Sequence, residues 1–273
     1  MGKLSVQLGD LRQKIKENLE THGETQVSTV DLSQVFGGLR GVIGLFCDTS
    51  SVKPNEGLFV RGRKINELVN NLPEEVFYLL LTGTLPNAEE FSELSSALKA
   101  QATLPDYVVK TLSSLPENSH PMTMFNLGIL AMQNESVFHK KYEEGISKND
   151  HWKYTLQDAI RLMAVVPAIA AAVYRIKFFK GDLIAPDPSL DWGSNFAHML
   201  GIGDDQGIFA QLMKLYLVLH CDHEGGNASA YTNTVIDSTL ADVFYSTSGA
   251  FGALAGPLHG LANQETLNFV LEI

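Results

Sequence analysis

Apolar residues recur along this chain mostly at three- and four-residue intervals, the signature of helices buried on one face. Leu4, Leu8, Leu11, Ile15 and Leu19 form the first such stripe, and His22-Gly23 supplies its stop. Prolines punctuate the chain further on. Pro73 opens an expected helix over 74–82, Pro86-Asn87 one over 88–100, Pro105 one reaching Leu112, and Pro121 one running to Gln133. A long helix is expected over 152–177, and Asp191-Trp192 begins another that Gly201 ends. Phe209, Leu212, Met213, Tyr216, Leu217 and His220 make a further stripe, stopped by Gly225-Gly226, after which Asn227 or Ser229 can cap the next helix. Small residues over 241–253 allow close helix packing, and 261–273 reads as helix. Only 41–47 and 57–60, joined by a loop holding Pro54, Asn55 and Gly57, carry a β signal. The pattern predicts a mostly α, multi-helical fold with a short N-terminal β-hairpin.

Composition narrows the function classes. With 45% hydrophobic and 19% charged residues in 273, the chain is globular rather than disordered. A net charge of −11 argues against general affinity for nucleic acid or anionic membrane, so an anionic ligand must meet a local cluster of positive groups. The two cysteines, Cys47 and Cys221, make no disulfide framework and read as reduced thiols, with no neighbour marking Cys221 as a nucleophile. The longest apolar run, 162–174, contains Pro167 and falls short of the roughly 20 residues that span a bilayer, so it reads as a buried helix. Asp10, Glu17 and Glu20 come too early for an acid-free presequence. Neither repeats nor a Ser/Gly linker mark a domain boundary.

Two stretches carry the candidate chemistry: His220-Cys-Asp-His223-Glu-Gly-Gly-Asn227-Ala-Ser229-Ala-Tyr231 and Ala255-Gly-Pro-Leu-His259-Gly-Leu-Ala-Asn263. Each sets a histidine beside small, turn-forming residues near an expected helix end, an arrangement suited to proton and hydrogen-bond chemistry on a small anion. His220 lies on an apolar stripe and reads as a core histidine bonded to a carbonyl, or as support for its neighbours. His223 reads either as a cap on the helix C-terminal dipole or as a ligand-binding group. The order His-x-x-His-Glu matches no zinc motif, so no metal is expected. His259 precedes the helix expected from Leu261. There a positive helix N-terminus disfavours the imidazolium, and a neutral ring can donate a hydrogen bond to a developing enolate oxygen. Arg40 in its glycine turn, and the cluster Arg61-Gly-Arg63-Lys64, read as solvated cations or as anion sites. The glycines match neither a Walker loop nor a dinucleotide fingerprint.

Taken together, these motifs resemble the citrate synthase family, in its eukaryotic mitochondrial form. The resemblance covers essentially the whole chain, including Phe36-Gly-Gly-Leu-Arg40-Gly, Glu56-Gly57 with Arg61-Gly62, Leu79-Leu-Leu-Thr82-Gly83, His120-Pro-Met, Leu190-Asp-Trp-Gly-Ser-Asn-Phe, Leu254-Ala-Gly and Gly256-Pro-Leu-His259-Gly-Leu-Ala-Asn263-Gln-Glu. It implies condensation of acetyl-coenzyme A with oxaloacetate and water to citrate and coenzyme A, by a homodimer of the mitochondrial matrix, without nucleic acid or membrane. The coenzyme would be substrate and product, with no tightly bound cofactor and no metal. His259 would polarise the thioester carbonyl, His223 and Asn227 would bind oxaloacetate, Ser229 would hold His259, and Arg40 and, more loosely, Lys148 would reach coenzyme A phosphates. Residues 1–260 would belong to the large helical domain and 261–273 would start the small one. The resemblance also puts the proton-abstracting aspartate, a third histidine and the carboxylate-clamping arginines beyond the position of Ile273, so the chain is expected to be the N-terminal part of such an enzyme and inactive alone. Tyr231 stands where the family has a histidine. A non-catalytic assembly protein on the same scaffold, and a 2-methylcitrate synthase, are the alternative readings.

Overall fold

Fourteen α-helices, two short 3₁₀ helices (Ile65–Glu67 and Met132–Glu135) and one small sheet make up the regular structure of residues 2–39 and 41–273, which the computed structural model describes. In chain order the α-helices and strands are α1 (Gly2–His22), α2 (Leu32–Phe36), β1 (Ser50–Lys53), β2 (Gly57–Val60), β3 (Arg63–Lys64), α3 (Pro73–Thr82), α4 (Ala88–Ala100), α5 (Asp106–Ser113) and α6 (Pro121–Ala131). Then come α7 (Val137–Glu143), α8 (His151–Lys177), α9 (Trp192–Leu200), α10 (Ile208–Leu219), α11 (Ala228–Asp237), α12 (Val243–Leu254), α13 (Pro257–Gly260) and α14 (Ala262–Glu272). The chain divides into two compact units, Met1–Ser95 with Leu215–Asn227, and Ser96–Lys214 with Ala228–Ile273.

In the first unit the antiparallel sheet runs in the order β1-β2-β3. The expected first strand over 41–47 is corrected. A tight turn, in which Glu56 N–H donates to Lys53 O at 3.1 Å, pairs Lys53 with Gly57 and Ser50 with Val60. That register carries the strand to Ser50–Lys53, and 41–47 is left as irregular chain with Ile43 and Phe46 exposed. A third short strand, Arg63–Lys64, adds to the hairpin. Val60, Leu68, Val76, Leu79 and Val218 form this unit's core, with Cys221 packed against it. Arg61 is neither a solvated cation nor an anion site. Its guanidinium donates to Leu80 O at 2.6 and 2.9 Å and pairs with Asp48 at 2.6 Å, with 11% of the side chain exposed. Lys64 pairs with Glu56 at 3.3 Å. The helix expected from the first stripe forms, but of its apolar residues only Leu4 is buried, while Ile15 and Leu19 are exposed.

The second unit is organised around α8. One helix among the described residues, this one, is long and apolar enough to cross a membrane, yet its residues are core. Leu162, Val165, Ile169, Ala172 and Val173 pack with Val108 and Leu112 of α5, Met124 and Ile129 of α6, and Phe244 of α12. Ala168 and Ala171 meet Met199 and Leu200 of α9. Asp191 caps α9 by accepting Ser194 N–H at 2.8 Å. Gly201 ends it at φ +69°, where a β-carbon would strike the Arg175 guanidinium. That guanidinium in turn donates to the carbonyls of Asp182 (2.7 Å), Leu200 (3.1 Å) and Lys180. The stripe expected over 209–220 forms α10, capped by the Asp204 carboxylate, which accepts Phe209 N–H and Ala210 N–H and is held below its usual carboxyl range by those bonds. Its apolar face is only partly covered: Val218 is buried and Phe209 packs against the Ala168–Leu200 cluster, while Leu212, Leu215, Tyr216 and Leu219 are exposed.

Candidate active site

Residues 220–227 of the first histidine stretch belong to the first unit, and 228–231 to the second. Because α10 stops at Leu219, residues 221–227 form a loop rather than a helix end. His220 is therefore not the expected core histidine. It is exposed, stacked on Tyr216 with ring centroids 4.1 Å apart, and its Nδ1 lies 2.8 Å from Tyr216 O. His223 is exposed as well, too far past the helix to cap its dipole, and its backbone N–H donates to Asp222 Oδ1 at 2.9 Å. Asn227, immediately before α11, donates from Nδ2 to Glu224 O at 3.0 Å. Between them Gly225 lies against the 45–52 segment so closely that a β-carbon there would meet Leu45 Cδ1 and Cys47 Cβ. Burial, aided by the neighbouring Asp222 charge, pushes the Cys221 thiol up to about 11, so it stays protonated at neutral pH and is no nucleophile.

The second histidine belongs to the other unit. Pro257 starts a single helical turn, α13, in which Gly256 O accepts N–H groups from His259 and Gly260, both at 3.0 Å. His259 thus sits inside its own turn, a correction to its expected place ahead of the helix at Leu261. α14 begins separately at Ala262. The ring is held from α11, where Ser229 Oγ lies 2.8 Å from His259 Nε2. Ser229 Oγ is also 2.9 Å from Ala250 O of α12. A hydroxyl has one proton to give. If Ser229 donates to Ala250 O, His259 must carry its proton on Nε2. If Ser229 donates to Nε2 instead, a neutral His259 carries its proton on Nδ1 and can donate from there. The serine rotor and the imidazole tautomer are coupled.

Of the expected coenzyme-binding cations, Arg40 lies outside the described residues. Lys148 is exposed, in the turn before α8 closed by Asp150 N–H to Ser147 O at 2.8 Å. Among the described residues no group of three or more His, Cys, Asp or Glu gathers as a cation site. Tyr231 is half-buried on α11.

A family model described as "Citrate synthase, C-terminal domain" matches residues 38–273. The mitochondrial citrate synthase of Daucus carota is 41% identical, covering 99% of this chain and 59% of its own length. In Saccharomyces cerevisiae the mitochondrial enzyme is 40% identical over 96% of this chain and 56% of its own length, and the peroxisomal enzyme 40% over 97% and 58%. Among solved structures, citrate synthase from Pyrobaculum aerophilum superposes with a TM-score of 0.78 at 30% identity, covering 86% of this chain and 59% of that one. The Thermoplasma acidophilum enzyme, solved as a ternary complex with carboxymethyl coenzyme A and oxaloacetate, gives 0.72 at 25% identity over 85% and 58%. This chain spans less than two thirds of the length of these relatives.

Proposed function

Because this chain belongs to the citrate synthase family, we propose that the whole protein condenses acetyl-coenzyme A with oxaloacetate and water, releasing citrate and coenzyme A. The observation that carries this reading is the Ser229–His259 hydrogen bond, 2.8 Å from Oγ to Nε2. Removing a proton from a methyl group beside a thioester builds negative charge on the carbonyl oxygen, and a donor already aimed at that oxygen lowers the barrier most. His259 is that donor in our reading. Ser229, rotated to give its proton to Nε2, leaves the Nδ1 proton for the thioester oxygen; a general base of the whole protein takes the methyl proton, the enol carbon attacks the ketone carbon of oxaloacetate, and the ketone oxygen takes up a proton. Hydrolysis of the resulting citryl thioester frees coenzyme A and citrate.

His223 and Asn227 are assigned to oxaloacetate. Their support is the motif together with a loop geometry that leaves the His223 side chain exposed and ties Asn227 to the backbone between them. Arg40 and Lys148 are assigned to the coenzyme A phosphates, which call for local positive charge on an otherwise acidic protein. We place the protein in the mitochondrion, after relatives named mitochondrial, and propose a homodimer on the family resemblance alone.

Supplied with acetyl-coenzyme A and oxaloacetate, the whole protein is expected to release free thiol and citrate in equal amounts. No turnover, thiol release without citrate, or a preference for propionyl-coenzyme A contradicts the proposal. Ser229→Ala tests the tautomer coupling separately. It is expected to lower kcat about tenfold or more with the oxaloacetate KM little changed, since a lost charge-developing hydrogen bond is worth roughly that much. A kcat equal to wild type removes Ser229 from the mechanism.

A further inference from the structure

We propose that Glu224 is a positioning residue for oxaloacetate, an anchor that fixes the His223–Asn227 loop to the open edge of the sheet. The inference rests on the assignment of His223 and Asn227 to that substrate. Both ends of Glu224 are tied to β1 within one unit. Its carboxylate Oε1 accepts Val52 N–H at 2.6 Å, and its own N–H donates to Ser50 Oγ at 2.6 Å. Its carbonyl accepts the Asn227 side chain at 3.0 Å. One residue thus joins the strand, the histidine beside it and the asparagine three positions on.

The sheet order explains why a carboxylate fits there. β1 is an edge strand, with β2 on one side. Val52 N–H points away from that ladder and needs an acceptor from elsewhere. A glutamate supplies one without adding another strand. The backbone at Glu224 sits at φ +54°, the left-handed region that a non-glycine side chain occupies at a cost. A residue held there against its preference is held by its contacts. Next to it Gly225 leaves no room for a β-carbon against Leu45 and Cys47. The 45–52 segment is therefore a template on which the loop is pressed, and Glu224 is its polar fastening. No charge partner is needed for this role, only an acceptor of the right reach.

A neutral acceptor should therefore serve almost as well as the carboxylate. In the whole protein, Glu224→Ala is expected to raise the oxaloacetate dissociation constant by about tenfold or more, because a half-buried donor loses its charged acceptor. The acetyl-coenzyme A KM should stay within about twofold, as expected when only one substrate's contacts are disturbed. Glu224→Gln keeps an oxygen at the same reach and should restore affinity to within about threefold. Amide hydrogen exchange at Val52 should speed up about tenfold in the alanine variant and stay near wild type in the glutamine variant. If Glu224→Ala does not fold, Ser50→Ala removes one fastening alone and is expected to weaken oxaloacetate about threefold.

The proposal is overturned if Glu224→Ala exposes the Val52 amide yet binds oxaloacetate as wild type. It is equally overturned if Glu224→Gln is as defective as alanine while Val52 stays protected, since the group then acts through its charge. His223→Ala and Asn227→Ala run in the same titration keep the two readings apart. If neither weakens oxaloacetate, the substrate assignment fails, and Val52 exchange still decides whether Glu224 anchors the loop.

Discussion

Replacing His259 by alanine is expected to lower kcat of the whole protein by about 10²–10³-fold, the usual cost of losing one preorganised donor to a developing oxyanion. Oxaloacetate affinity should change by less than about threefold, because an interaction made only in the transition state leaves ground-state binding alone. The physical basis is the pinning of the ring from two directions. The turn 257–260 fixes the backbone through two hydrogen bonds onto Gly256 O, and Ser229 fixes the ring at Nε2, 2.8 Å away. A donor oriented before the charge develops does not reorganise when the reaction occurs. Steady-state kinetics on the variant, with oxaloacetate calorimetry alongside, check both halves. Near-normal kcat removes the proposed role. A large loss of oxaloacetate affinity reassigns His259 to substrate binding.

The second large effect falls on stability. Asp158 of α8 is 1% exposed, and its carboxylate accepts Ser136 Oγ (2.7 Å), Val137 N–H (2.7 Å) and Phe138 N–H (3.1 Å) at the start of α7. Asp158→Ala leaves these donors without an acceptor and is expected to cost about 3–5 kcal/mol. On a chain of this size that lowers Tm by roughly 6–15 °C. Asp158→Asn should cost less, since the amide oxygen still serves one side while its NH₂ opposes donors on the other. The pH dependence separates charge from hydrogen bonding. Burial raises the Asp158 carboxyl above its usual value, with the Asp242 charge adding to the rise and the three hydrogen bonds opposing it. The folded form therefore holds its proton to higher pH than the unfolded chain. This group's contribution is most favourable below its unfolded value and is lost as pH rises through the raised folded one. The slope should disappear in Asp158→Asn. Chemical denaturation between pH 4 and 8 reads it. An alanine variant as stable as wild type contradicts the role of Asp158 as a buried acceptor.

Much of the helical order was legible in the chain because punctuation residues act locally. Pro73, Pro121, Asp191 and Gly201 end or begin helices where local backbone chemistry puts them. The strand over 50–53 was not. Ser-Ser-Val-Lys carries little apolar signal, and its pairing is decided by the turn at Lys53–Gly57, whereas the more apolar 41–47 has no partner strand. The exposure of His220 was hidden for a related reason. A stripe at helical spacing shows which face is apolar but not whether anything covers it, and here Leu212 and Tyr216 of α10 and His220 just past it are exposed. In the candidate site, both histidine motifs stood out by residue type and spacing, and Ser229 only through the family resemblance those motifs carry. Glu224 did not, because its hydrogen bonds go to Ser50 and Val52, over 170 positions away in sequence. The local hint was an acidic residue ahead of two glycines. His259's own helical turn was equally hidden, since Pro257 can open one turn or several.

The role proposed for His259 depends on which ring nitrogen carries the proton when substrates are in place. The direct measurement is the ¹⁵N spectrum of histidine-labelled whole protein bound to oxaloacetate and carboxymethyl coenzyme A, with the His259 signals assigned by difference from Ser229→Ala. The prediction is a protonated Nδ1 and a bare Nε2 accepting from Ser229, a preference that the alanine variant weakens. A proton resting on Nε2 with Nδ1 bare contradicts it, because the ring then has nothing to donate to the thioester oxygen.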